Sequence, residues 1–256
     1  MMSRTVAPLM ACVLFVCISH GTAHSAELKI FASRAIWTVL TKSGPEFEKN
    51  SGHSLNVSTG LSSEFVRRIN AGETFDVIAA PPAALDGLIN SGKVAPDSKT
   101  NLARSAYGVA IRAGALKPDI SSVEAFKRSL LAAKSIAYPD PATGAAVGIY
   151  FVSLLERLGV AAELKPKSRS ITAVAAMYDA VAKGDVEIGL GQRSEILAEP
   201  RVELVDLLPA EIQSFTLFAA GIVAGSEQQD AGKALIRFIS SPAAQLMMKA
   251  KGFEAP

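Results

Sequence analysis

Apolar residues in this chain fall into short runs that alternate with stretches where they recur at helical spacing. Leu28-Lys29-Ile30-Phe31-Ala32 reads as a strand, and Ile36, Leu40, Ser43 and Phe47 then mark one helix face, closed by Gly52. Ser54 to Ser58 is a second strand. Thr59-Gly60-Leu61-Ser62-Ser63 follows it and leads into a helix with Phe65, Val66 and Ile69 inward that ends at Gly72, with Ser62 or Ser63 the expected N-cap. Phe75 to Ala80 is a third strand, and Pro81-Pro82 opens a helix carrying Leu85, Leu88 and Ile89. This alternation predicts a parallel sheet with helices on both faces and right-handed crossovers. Ligands of such sheets sit beyond the carboxyl ends of the strands.

Ser105 to Arg112 is a further strand, and Ser121 to Leu131 a helix with Val123, Phe126 and Leu130 inward. Ser135 to Tyr138 gives way to Pro139-Asp140-Pro141-Ala142-Thr143-Gly144, and an apolar helix runs from Ala145 to Gly159. The first N–H groups of a helix lack internal partners and sit at its positive end, so such a turn can hold an anion. Strand–turn–helix units occur throughout α/β folds, and this one gains weight because it recurs in the chain. Gly144 and Gly148 are spaced to permit close packing. Lys165 to Ser170 reads as a polar loop, Val174, Met177 and Val181 as a helix face, and Val186 to Leu190 as a strand ended by the polar turn Gly191-Gln192-Arg193-Ser194-Glu195.

The tail changes character: Val202 to Leu207 and Phe215 to Val223 read as strands, Gln229 to Ser240 and Pro242 to Lys249 as helices. With no internal repeat or long linker, a second domain must form by the chain crossing over and returning.

The first 25 residues have the pattern of a signal peptide: Arg4, an apolar stretch from Val6 to Ile18 too short to span a bilayer, and the small residues Ala23 and Ser25 flanking His24. Cleavage is expected near Ser25, placing the protein in the periplasm. Leu9-Met10-Ala11-Cys12 also resembles a lipobox, with only a short apolar run before it. Cys12 and Cys17 both lie in this leader, so the mature chain has no disulfide and relies on ordinary cores. Loss of Arg4 leaves 25 basic against 24 acidic residues, a balance that gives no reason to expect nucleic acid as a partner. His53 is the one histidine outside the leader and falls at the wrong end of the sheet, so a Ser/His/Asp or Cys/His site has nothing to be built from. Zinc and calcium motifs are absent, Gly144 lacks the ending of a nucleotide-binding loop, and no cofactor is expected. An exported binding protein, not an enzyme, remains.

Ile30-Phe31-Ala32-Ser33, Ser62 through Gly72, Asp76-Val77-Ile78, Pro139-Asp140-Pro141 with Gly148-Ile149-Tyr150, and the terminal Gly252-Phe253 together resemble the molybdate-binding periplasmic proteins of ABC importers. The resemblance covers the mature chain in order. It implies a type II periplasmic binding protein with two α/β lobes, one formed by 26–104 plus 215–256 and the other by 105–214, with ligand in the cleft between them. It further implies a monomer that delivers a small anion, molybdate or tungstate, to a membrane permease. Such proteins hold a tetrahedral oxyanion with hydroxyls and helix-start N–H groups rather than countercharge. Carried over by position, the second serine falls on Ser62 and two backbone donors on Val147 and Val174. The first-loop serine falls on Ala35, leaving Ser33 two residues early with Arg34 between, and a tyrosine position holds Gln192. The expected ligand residues are therefore Ser33, Ser62, Val147, Val174 and Gln192, with Arg34, Ala35, Ser63 and Arg193 as further candidates. In a neutral site Arg34 faces solvent. In the alternative, a small carboxylate or other organic anion replaces molybdate, and Arg34 pairs with it through its guanidinium fork.

Overall fold

The computed structural model describes residues 25–256; the expected leader, with Cys12, Cys17, His20 and His24, lies outside the described residues except for Ser25. The chain begins with three strand–helix units: β1 (Glu27–Ala32) and α1 (Arg34–Ser51), β2 (Ser54–Thr59) and α2 (Ser62–Asn70), β3 (Val77–Ala80) and α3 (Pro82–Asn90). β4 (Thr100–Arg112) and α4 (Val123–Ala132) follow, then β5 (Ile136–Pro139), α5 (Ala146–Arg157), α6 (Ala161–Leu164), β6 (Ser168–Ile171), α7 (Val174–Lys183), β7 (Ile188–Gln192) and α8 (Arg193–Ile196). β8 (Val202–Leu207), β9 (Phe215–Ile222), α9 (Gln229–Ile239) and α10 (Pro242–Ala250) complete the chain.

Eight strands run in the order β2-β1-β3-β9-β4-β7-β5-β6, and β8 pairs with β4 off that path. β2, β1 and β3 are parallel, as the βα alternation predicts, but β9 joins β3 antiparallel and makes the sheet mixed. β4 begins five residues earlier than its apolar run suggests. Its first half, Thr100–Ala106, pairs with β9, and from Tyr107 onward it pairs with β7 and β8. At that change of partners the Gln213 side chain accepts from the Tyr107 N–H (3.1 Å) and donates to the Tyr107 and Leu208 carbonyls (3.1 and 3.2 Å).

Each half of the sheet is covered on both faces. Leu28, Ile30, Ile36, Val39, Leu235 and Ile239 lie on one side of β1 and β3. On the other, Phe31 stacks between Phe65 and Phe75 at 3.9 and 3.7 Å between ring centroids. Beyond the crossover, Phe126, Ile136, Phe151 and Leu154 form one core and Met177, Tyr178, Val181 and Ile196 another. Each such side chain contributes about 1.5–3 kcal/mol on burial.

Two polar stretches depart from their sequence reading. Ser168–Ile171, within and just past the expected loop, is an edge strand paired in parallel with β5; being half-exposed on the sheet margin, it carries no apolar alternation. The expected turn after β7 is the short helix α8, whose Ser194 and Glu195 are buried by tertiary contacts that local pattern does not encode. Two glycines set close approaches. A Cβ on Gly148 would lie 1.9 Å from the Pro139 carbonyl oxygen, so only glycine lets α5 start against the Pro139–Pro141 turn. A Cβ on Gly191 would lie 2.1 Å from the Tyr178 hydroxyl. Gly144 serves conformation instead, with φ at +79°.

Candidate functional site

Helices α1, α2 and α3 start at the carboxyl ends of β1, β2 and β3, and α5, α7 and α8 start after β5, β6 and β7. The two sets of helix starts face one another across a cavity of about 90 Å³ lined by Ser33, Arg34, Ala35, Ser62, Val147, Val174, Gln192, Glu195 and Thr216, with Pro81, Phe218 and the Thr143–Ala146 turn. That volume is far below the roughly 300–1,000 Å³ of sites for drug-sized ligands, and suits a small anion.

Away from the cavity, α4 and α10 start at Ser122 and Ser241, whose hydroxyls accept from the N–H three residues on, while α6 and α9 start without a side-chain cap. α1, α2, α5 and α7 start at Ser33, Leu61, Ala145 and Ala173, and none has a side-chain cap bond. The first N–H groups of four helices, those of Ala35, Ser62, Val147 and Val174 among them, are therefore left for something in the cavity to accept, at the positive ends of the dipoles. Ser62 is the first residue of α2 and not its cap, because Leu61 takes that position. Its hydroxyl is free of capping.

Of the expected residues, the structure brings Ser33, Ser62, Val147, Val174 and Gln192 to this cavity, along with Arg34 and Ala35. Ser63 is not there. Its hydroxyl donates to the Thr143 carbonyl at 3.1 Å, joining α2 to the turn before α5 across the mouth of the cleft. Arg193 is not there either; it starts α8 with its stem against Gly252, where a Cβ would meet Arg193 Cγ at 3.0 Å. Arg34 is solvent-exposed as a residue yet lines the cavity, and it makes no ion pair among the described residues.

Three buried polar atoms around the cavity lack hydrogen-bond partners among the described residues: Ser33 Oγ, Gln192 Oε1 and Glu195 Oε2. Each such orphan is costly in an apolar surround unless a ligand completes it. A half-turn of the Gln192 amide presents Nε2 in place of Oε1. Glu195, 6% exposed, was not among the expected site residues. Burial pushes its carboxyl up to about 7, against the opposing pull of the Arg34 charge. Behind it, burial and the charge of Glu195 raise the Tyr178 phenol well above its ordinary range. Thr216, also missed, holds the Tyr107 hydroxyl at 3.0 Å. The sequence signal for Glu195 was thin: an acid three residues past the end of a buried strand.

A wider open concavity of about 580 Å³ lies at the opposite, amino-terminal edge of β1 and β3 and contains none of the expected residues. Its Asp76 is already engaged, accepting from the Lys29 N–H at 2.8 Å and from Ser226 Oγ at 2.6 Å.

Uncapped helix starts converging between the halves of a mixed α/β sheet define a binding protein of the periplasmic type. The chain belongs to the bacterial extracellular solute-binding protein family, which matches residues 28–254. It is 33% identical over 235 residues to the aconitate isomerase of a Pseudomonas species, covering 89% of this chain and 87% of that protein. It is 25% identical over 247 residues to the molybdate-binding protein ModA of Escherichia coli K12, covering 95% of each. The periplasmic molybdate-binding protein of Azotobacter vinelandii superposes with a TM-score of 0.75 at 21% identity, over 90% of this chain and 99% of that one. The resemblance in fold and family to molybdate-binding proteins therefore stands.

Proposed function

We propose that the protein is a periplasmic solute-binding component of an ABC importer whose cleft takes a small organic carboxylate, with lobes formed by 26–104 plus 215–256 and by 105–214. The observation that carries this reading is Arg34 on the cavity wall beside a buried acid, Glu195. An oxyanion site built on neutral donors has no use for the Arg34 charge. A guanidinium fork matches a carboxylate in two parallel hydrogen bonds, while the free helix-start N–H groups and the hydroxyls of Ser33 and Ser62 receive the rest of the ligand. The 33% identity to a protein named for aconitate supports the same class. Titration with molybdate, sulfate and a panel of di- and tricarboxylates including both aconitate isomers tests it. Tightest binding is expected for a carboxylate, with a loss of more than tenfold in Arg34→Gln. Molybdate binding with no carboxylate binding would return the site to the neutral kind.

A second reading adds chemistry to the same cleft and is favoured by Glu195, whose acid and base forms are both populated near neutrality. A carboxyl so placed, when transiently ionised in the complex, can take a proton from one carbon of an unsaturated carboxylate and return one two carbons along as the double bond shifts, with no redox change. Proton NMR of cis- and trans-aconitate with the protein in deuterium oxide decides it: interconversion with deuterium entering carbon, lost in Glu195→Gln, supports an isomerase. Unchanged spectra leave a binding protein.

A further inference from the structure

Glu195 lines the cleft with one carboxyl oxygen unpartnered and no ion pair, among the described residues. Among the described residues three titratable or charged groups act on it or feel its charge: Arg34 from the start of α1, Tyr178 from α7 and Tyr107 from β4. Both tyrosines are buried and neutral, their phenols pushed up by burial, so neither offers it a charge. Arg34 alone favours its ionised form.

An anion entering this cavity changes both sides of that balance. It lies against Arg34 and cancels the one charge that favours a glutamate, and it adds its own negative charge beside a buried carboxyl. Two like charges in a poorly solvated site cannot both persist, and a proton shared between them removes the conflict.

We infer that Glu195 is a ligand-contacting residue that enters the complex as the neutral acid and donates its proton in a hydrogen bond to the bound anion. The inference rests on the proposal that this cleft holds an anion. It makes Glu195 a specificity-determining group: an anion with an acceptor oxygen at that point is held, and binding takes up close to one proton from solvent when the free protein is ionised. The neutral free carboxyl is populated below about pH 7 and the charged one above it.

Calorimetric titration of the full mature protein at pH 8, with trans-aconitate and separately with molybdate, in buffers of different ionisation enthalpy, reads the protons directly. Both probes are fully ionised at that pH, so a proton taken up comes to the protein. Uptake near one per site, with affinity about tenfold weaker at pH 8 than at pH 6, is expected for the probe that binds. In Glu195→Gln the amide donates without a proton exchange, so uptake and the pH dependence should vanish while binding at pH 8 persists. Binding by the unaltered protein with no proton uptake would overturn the inference and leave the anion-binding reading intact. Binding of neither probe, nor of any other anion in the panel, would overturn that reading and this inference together.

Discussion

In the unfolded chain the Glu195 carboxyl titrates near 4.5, and in the folded protein near 7. Between these values the native state keeps a proton that the unfolded chain has released, so this group's contribution makes stability fall as pH rises through that window and level off above it. The size is on the order of a few kcal/mol. Surface carboxylates act in a different range: Glu73 beside Arg68, and Asp179 beside Lys183 and Arg201, are held below their ordinary values, and what they add is lost only as pH falls through those lower values. Denaturation of ligand-free protein and of Glu195→Gln at pH 5 and pH 8 isolates the effect. The unaltered protein should lose more stability than the variant on going to pH 8. Equal losses would mean that Glu195 is hydrated in solution.

At the scale of elements, if the cleft holds an anion as proposed, the uncapped starts of α1, α2, α5 and α7 trade stability of the free protein for ligand affinity. Ala145 has the extended backbone of an N-cap, with φ −65° and ψ 110°, but no side chain able to accept. Ala145→Ser should satisfy an N–H of α5 locally, raising the stability of the ligand-free protein by about 0.5–2 kcal/mol while weakening the ligand. Stability with and without ligand, followed by chemical denaturation, checks both signs; a stabilised variant with unchanged affinity would place the ligand away from α5. Gly148→Ala tests the support of the same helix. Its methyl meets the Pro139 carbonyl, so a loss of about 1–3 kcal/mol is expected.

For the whole molecule, the passage of β4 between sheet partners at Ala106–Tyr107 and the return at Ser214–Phe215 put two adjacent antiparallel segments between the halves. If the two proposed lobes close on a ligand, that pair has to bend, and the Gln213 bonds to Tyr107 and Leu208 sit where β4 changes partners. Small-angle scattering should show a smaller radius of gyration with ligand than without. A ligand at a hundred times its dissociation constant should add about 2.7 kcal/mol of stability, and the absence of any such shift across the anion panel would remove the binding role.

The order of strands and helices was set by local sequence: apolar runs, helical spacing and closing glycines such as Gly52 and Gly184 act over a few residues and carry their own signal. The resemblance in family was also legible, and with it the helix starts at Ser62, Val147 and Val174. What local pattern could not carry was the edge strand at Ser168–Ile171, defined by its neighbour β5 alone, and the burial of α8. A glutamate in a polar turn and a glutamate buried in a cleft wall read alike in sequence. Only the packing of α8 against β4, β7 and β8 takes Glu195 out of water and sets it on the same cavity as Arg34, about 160 positions away in the chain, and it is that long-range desolvation which raises its carboxyl.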